Sequence, residues 1–125
     1  MDNHCLILSD NGKTFYGIKD LSITHITIPE GITGIGRNAF HELGALETID
    51  LPSSITTIHR FAFPFPFTLK SIHFHTEDPN TIDIHERAFY GGYYGRCCLY
   101  VPKDSLQAYK QHPILGRFAN IEIEK

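Results

Sequence analysis

The chain has 125 residues, enough for one domain with a single core. Its formal net charge of −3 comes from 11 Lys plus Arg against 14 Asp plus Glu, with no long block of either sign, which excludes the electrostatic footprint of a nucleic-acid binder. No run approaches the roughly 18 apolar residues of a membrane helix, so no membrane insertion is expected, and the opening MDNHCLILSDNGK has neither the basic start nor the apolar stretch of a signal peptide.

Such an opening fits a cytoplasmic protein or the trimmed form of an exported one. The three cysteines, Cys5, Cys97 and Cys98, are an odd number without CxxC spacing, which argues against a disulfide framework and a zinc knuckle. Cys97 and Cys98 read as free thiols, the alternative being a vicinal redox pair whose ring would be strained.

In chain order, LIL, SDNGK and FYGI predict a β-hairpin turning at Asn11-Gly12, which closes the N-terminal face of the domain. From Ile26 the segment ITIPEGITGIGRNAFHELGALE aligns without gaps on IDLPSSITTIHRFAFPFPFTLK from Ile49, a shift of 23 residues. Ile26, Ile28, Pro29, Ile32, Ile35, Ala39, Phe40 and Leu46 match Ile49, Leu51, Pro52, Ile55, Ile58, Ala62, Phe63 and Leu69. Ile72 and Phe74 continue the pattern, which resumes at Ile84, Ala88 and Phe89 after a three-residue insertion and reaches Leu99, Val101 and Pro102 after one more.

A coil of this length has an apolar inner edge and no partner of its own, so coils must stack to cover it. The alternation in ITI, IDL, IHF and LYV turns Ile26, Ile49, Ile72 and Leu99 inward and Thr27, Asp50, His73 and Tyr100 outward. His25, Thr48, Ser71 and Cys98 form the neighbouring outward row. Ala39, Ala62 and Ala88 are small where backbones approach, Phe40, Phe63 and Phe89 fill the width, and Pro29, Pro52 and Pro102 end their strands. Beyond Pro102, Asp104 or Ser105 caps a short helix carrying Leu106 and Tyr109, halted near Pro113, with Ile121 and Ile123 in a last strand. The whole reads as one domain over 1–125: an N-terminal cap over 1–23, three repeats and a fourth strand over 24–102, and a C-terminal cap over 103–125.

The motif IPxxIxxIGxxAFxxxxxLxxIxLPxSI resembles the BspA-like leucine-rich-repeat family, and LYVPKDSLQAYKQHPILGRFANI resembles the tail that closes such arrays. The likeness runs from Ile18 to Glu124. It implies a leucine-rich-repeat solenoid, a β-rich right-handed superhelix with one parallel sheet, and a bacterial cell-surface or secreted protein that binds macromolecules. It implies no chemistry and no cofactor. His59 and His85 depart from the pattern where Gly36 keeps it, and Pro66 departs at Leu43.

The repeat presents two candidate binding surfaces. One is the outward row Thr27, Asp50, His73 and Tyr100, in which strands about 4.8 Å apart let Asp50 accept a hydrogen bond from His73; the alternative is an ordinary cross-strand polar pair. The other is an aromatic ridge of Phe61 and Phe65 beside Tyr90, Tyr93 and Tyr94, suited to a protein or glycan partner unless the rings pack on each other.

The eight histidines include His73 with His75 and His59 with His85, but neither pair has an evident third and fourth ligand, so no metal site is expected. No GxSxG, HExxH, phosphate loop or paired carboxylates occur, so no enzyme is expected. The expectation is a non-catalytic, adhesin-like binding module, the alternative being a structural module that assembles into a homo-oligomer.

Overall fold

An antiparallel hairpin opens the fold, with β1 (Leu6–Leu8) paired to β2 (Thr14–Ile18) in a computed structural model that describes residues 6–40, 43–63, 68–89 and 95–124. Its turn is the expected Asn-Gly one: Gly12 has φ 73°, and Asn11 Oδ1 accepts from Ser9 Oγ at 2.7 Å and from Lys13 N at 3.0 Å.

Each coil then lays down two short strands. They are β3 (His25–Thr27) and β4 (Gly34–Ile35), β5 (Thr48–Asp50) and β6 (Thr57–Ile58), and β7 (Ser71–His73) and β8 (Asp83–Ile84). After them come β9 (Cys98–Val101), the helix α1 (Leu106–Gln111) and β10 (Asn120–Ile123).

The strands form two five-stranded sheets, not the one parallel sheet expected. The first runs β3, β5, β7, β9, β10 and is parallel throughout; the second runs β1, β2, β4, β6, β8 and is parallel except for the hairpin. The second sheet is built from the IxxI steps, where Ile35, Ile58 and Ile84 turn inward beside Gly34, Thr57 and Asp83. Two residues per strand are too few for an alternation to be read, so the step looks like a corner in the sequence. The hairpin joins the second sheet, where Thr14 and Phe15 of β2 lie opposite Gly34 and Ile35.

Between the sheets the side chains stack in columns because the coils are in register. Phe15, Phe40, Phe63, Phe89 and Phe118 form one continuous file, with successive ring centroids 5.2, 5.0, 4.7 and 5.1 Å apart. Phe40 and Phe63, and Phe63 and Phe89, are stacked, while Phe118 meets Phe89 edge-on. Burying one such ring stabilises by roughly 1.5–3 kcal/mol, and ring geometry adds about 0.5–1.5 kcal/mol per pair. Ile26, Ile49, Ile72, Leu99 and Ile121 make the column under the first sheet.

Polar side chains lock coil to coil at the Pro corners. The Glu30 carboxylate accepts from Ser53 N at 2.8 Å, and Ser54 Oγ donates to the Ile32 carbonyl at 2.7 Å.

The C-terminal helix docks on the segment between Phe74 and Ile84, which holds the three extra residues and reads in the sequence as a loop. Within it, Asp78 caps a 3₁₀ turn over Pro79–Thr81 by accepting from Asn80 N. Tyr109 is fully buried against Phe74 and donates to the Thr76 carbonyl at 2.6 Å. Ser105 occupies the position before α1 but does not cap it: its hydroxyl donates to the Glu77 carbonyl at 2.6 Å, so it ties the helix to the insertion. Gly116 is demanded by a close approach, since a Cβ there would stand 2.3 Å from the Lys110 carbonyl oxygen. Of the last-strand residues, Ile121 is buried and Ile123 is exposed.

Candidate functional site

On the first sheet the expected rows are present. Thr27, Asp50, His73 and Tyr100 are paired neighbours across β3, β5, β7 and β9, and His25, Thr48, Ser71 and Cys98 form the adjacent row. Thr27 is exposed and the other three of its row are half-buried.

The hydrogen bonding differs from the expected Asp50–His73 pair. His73 Nδ1 meets the Glu124 carboxylate at 2.8 Å, while Asp50 Oδ1 pairs with His75 Nε2 at 2.7 Å. The His73 ring lies flat on Tyr100, centroids 4.7 Å apart and planes 15° apart, which turns it towards β10 and away from Asp50. Glu124 follows β10 in the chain, and only a strand register that the sequence does not reveal brings it to His73. His75, two residues beyond His73 on the same side, reaches back to Asp50. His25 and Thr27 meet at 3.3 Å, and Ser71 Oγ and His73 Nε2 at 3.4 Å.

The face is therefore a set of short polar contacts that hold their own side chains in place. Tyr100 has its hydroxyl pKa raised, first by the neighbouring Cys98, with Glu122 and Glu124 adding to it, so the phenol stays neutral. Cys97 is buried, which pushes its thiol up to about 12, and burial also raises Cys98. Both are free thiols, and neither is activated as a nucleophile.

Of the aromatic ridge, Phe65, Tyr90, Tyr93 and Tyr94 lie outside the described residues. Phe61 is half-buried beneath the Arg60 guanidinium, whose carbon is 4.7 Å from the ring centroid. Its backbone has φ 57°, matching Asn38 at φ 60° one coil earlier.

The outer face of the second sheet carries residues not expected as a site. Backbone bonds from Gly36 N to Phe15 O, His59 N to Ile35 O and His85 N to Ile58 O put Tyr16, Gly36, His59 and His85 in one row. The Tyr16 ring lies over Gly36, where a Cβ would fall 2.4 Å from Cδ1. This explains why glycine is kept in the first coil and replaced by histidine in the next two. Beside the row, Arg37, Thr57, Ile58, His59, Arg60, Asp83 and His85 line a cleft of about 270 Å³.

A second cleft, of about 380 Å³, lies at the hairpin end, where Ile7, Tyr16 and Leu21 are 44%, 50% and 48% exposed. Among the described residues no group of three or more His, Cys, Asp or Glu side chains could hold a metal ion, and no helix is long and apolar enough to cross a membrane.

A family model for the BspA type leucine rich repeat region matches residues 11–95, in six copies. The tail from Leu99 that resembles a family cap lies beyond that match. No curated protein and no solved structure matches the chain.

Proposed function

Because the chain belongs to the BspA-type leucine-rich-repeat family, whose repeats typically serve protein binding and not catalysis, we propose that it is an adhesin-like recognition module for a protein or glycan at a bacterial cell surface or in a secreted protein. In this reading residues 1–125 act as one domain, a right-handed solenoid whose first sheet faces the partner. One observation carries it: on that sheet Asp50, His73 and Tyr100 from successive coils stand side by side, already fixed by Asp50–His75, His73–Glu124 and the His73–Tyr100 stack. Side chains ordered before binding lose little conformational entropy on docking, which favours recognition.

The test compares the full chain with Asp50→Asn, His73→Ala and Tyr100→Ala on matrix proteins and a glycan array. Each is expected to lose at least tenfold in affinity for a partner that the native chain binds, about 1.4 kcal/mol or more, with an unchanged thermal transition. Binding that survives all three substitutions would remove this face from the reading.

The three exposed apolar side chains Ile7, Tyr16 and Leu21, gathered around one cleft, favour a second reading in which copies of the chain associate. Light scattering on the native chain and on Leu21→Ser separates the two: an oligomer that Leu21→Ser dissolves supports self-assembly, and a monomer in both cases refutes it.

A further inference from the structure

We propose that the cleft on the outer face of the second sheet binds an acidic saccharide, with Arg37 and Arg60 receiving its carboxylate or sulfate group. The site is separate from the first-sheet face, so it goes beyond the first-sheet binding role and stands or falls without it.

Arg37 and Arg60 occupy equivalent places in successive coils, 23 residues apart, each two residues beyond β4 and β6, which are paired in register. Strands so paired lie about 4.8 Å apart, which lets two guanidinium groups converge on one oxyanion. Both arginines are exposed, and among the described residues neither pairs with a carboxylate. Arg60 is steadied by the Phe61 ring, whose centroid lies 4.7 Å from the guanidinium carbon. In a chain of net charge −3, such a site is a local reversal of sign that draws anions to one place.

The rest of the lining selects a sugar over a bare ion. His85 Nδ1 accepts the Arg87 backbone N–H at 3.0 Å, so in the neutral ring Nε2 carries the proton and serves as a hydroxyl or oxyanion donor. His59 stands beside it in the same row. Asp83 also lines the cleft and would repel a small dianion, yet it suits the acceptor role for sugar hydroxyls. Outside the cleft, in the neighbouring hairpin-end cleft that Arg37 also lines, the half-exposed Tyr16 ring offers a flat apolar surface of the kind that covers a pyranose face. Main-chain addition of a peptide is disfavoured because β6 is paired on both sides and β8, the edge strand beside it, is only two residues long.

The experiment is calorimetric titration of the full chain with three probes of equal length: a sulfated uronate-containing oligosaccharide, a neutral oligosaccharide and an oligo-glutamate peptide. Saturable binding of the acidic saccharide is expected, at least about tenfold tighter than either other probe, with about a tenfold loss in Arg37→Gln and in Arg60→Gln. No binding of the acidic saccharide overturns the proposal, and equal binding of oligo-glutamate overturns the assignment to a sugar. Amide and side-chain NMR shifts of the native chain supply a reading that needs no variant. Shifts gathered on Arg37, His59, Arg60 and His85 support the cleft, and shifts gathered on His73, His75 and Tyr100 overturn it while leaving the first-sheet reading intact.

Discussion

Replacing His112 with alanine is expected to destabilise the fold by about 2–4 kcal/mol, through two hydrogen bonds that converge on one atom. His112 Nδ1 accepts the backbone N–H groups of Ile114 and Leu115, each at 3.1 Å, where the chain leaves α1 and turns towards β10. Alanine leaves two buried donors without an acceptor, at about 1–3 kcal/mol each before any relaxation, and loss of a comparable cap costs about 0.5–2 kcal/mol. Asparagine can present Oδ1 to the same two donors, so His112→Asn is expected to recover at least half of the loss.

The same bonds make this residue acid-sensitive. Burial lowers the His112 pKa below its ordinary value of 6.5, and protonated Nδ1 cannot accept. Above pH 6.5 the ring is neutral folded or unfolded, and its stabilisation is fully present. As pH falls below 6.5 the unfolded chain takes up the proton first, so the contribution declines until the depressed folded pKa has been passed. Urea unfolding at pH 7 and at steps down to pH 5, on the native chain, His112→Ala and His112→Asn, measures both effects. An alanine variant within about 0.5 kcal/mol of native, or an asparagine variant with the native slope of stability against pH, would show that the Ile114 and Leu115 N–H groups do not depend on the ring.

Phe61→Asn is expected to raise stability by about 0.5–1 kcal/mol in the same unfolding assay, because a bulky residue at φ 57° is strained whereas asparagine, which already serves at φ 60° in Asn38, tolerates that region. A loss of stability would mean that the Phe61 ring contacts outweigh the strain. Gly36→Ala is expected to cost about 1–3 kcal/mol, since its Cβ meets the Tyr16 ring at 2.4 Å and the Phe15 carbonyl at 3.1 Å. In a double-mutant cycle with Tyr16→Ala the cost should fall, and strict additivity would show that the two do not touch.

The repeat, the inward columns and the outward row of the first sheet are legible in the sequence because a 23-residue shift preserves each apolar position and three-residue strands still alternate. The second sheet is not, because Gly34–Ile35, Thr57–Ile58 and Asp83–Ile84 are too short to carry a period. Phe15 and Phe118 are not evident as ends of the ring file, since both lie outside the 23-residue alignment that starts at Ile26. The partner of His73 is misread for a similar reason: alignment identifies neighbours in adjacent coils but not a residue such as Glu124 that arrives after the repeats stop. The Tyr16–Gly36 contact leaves a trace in the sequence, the glycine that later coils replace by His59 and His85. It can be interpreted only once β2 is known to lie beside β4.

The two outer faces differ in how their charges are used. On the first sheet the carboxylates of Asp50 and Glu124 are occupied by His75 and His73, so that face offers shape, hydroxyls and the Tyr100 ring beside the exposed acid Glu122. On the second sheet the Arg37 and Arg60 guanidinium groups meet no carboxylate among the described residues. Salt should consequently act on them unequally. Raising ionic strength from 0.05 to 0.5 M shortens the Debye length from about 14 to about 4 Å, which weakens capture of an anion by exposed arginines and leaves largely unchanged a contact made through ordered, internally paired side chains. Binding that is lost with salt and with Arg60→Gln would belong to the second sheet. Binding that resists salt and is lost with Tyr100→Ala would belong to the first, so titration at the two salt concentrations assigns any partner to its face.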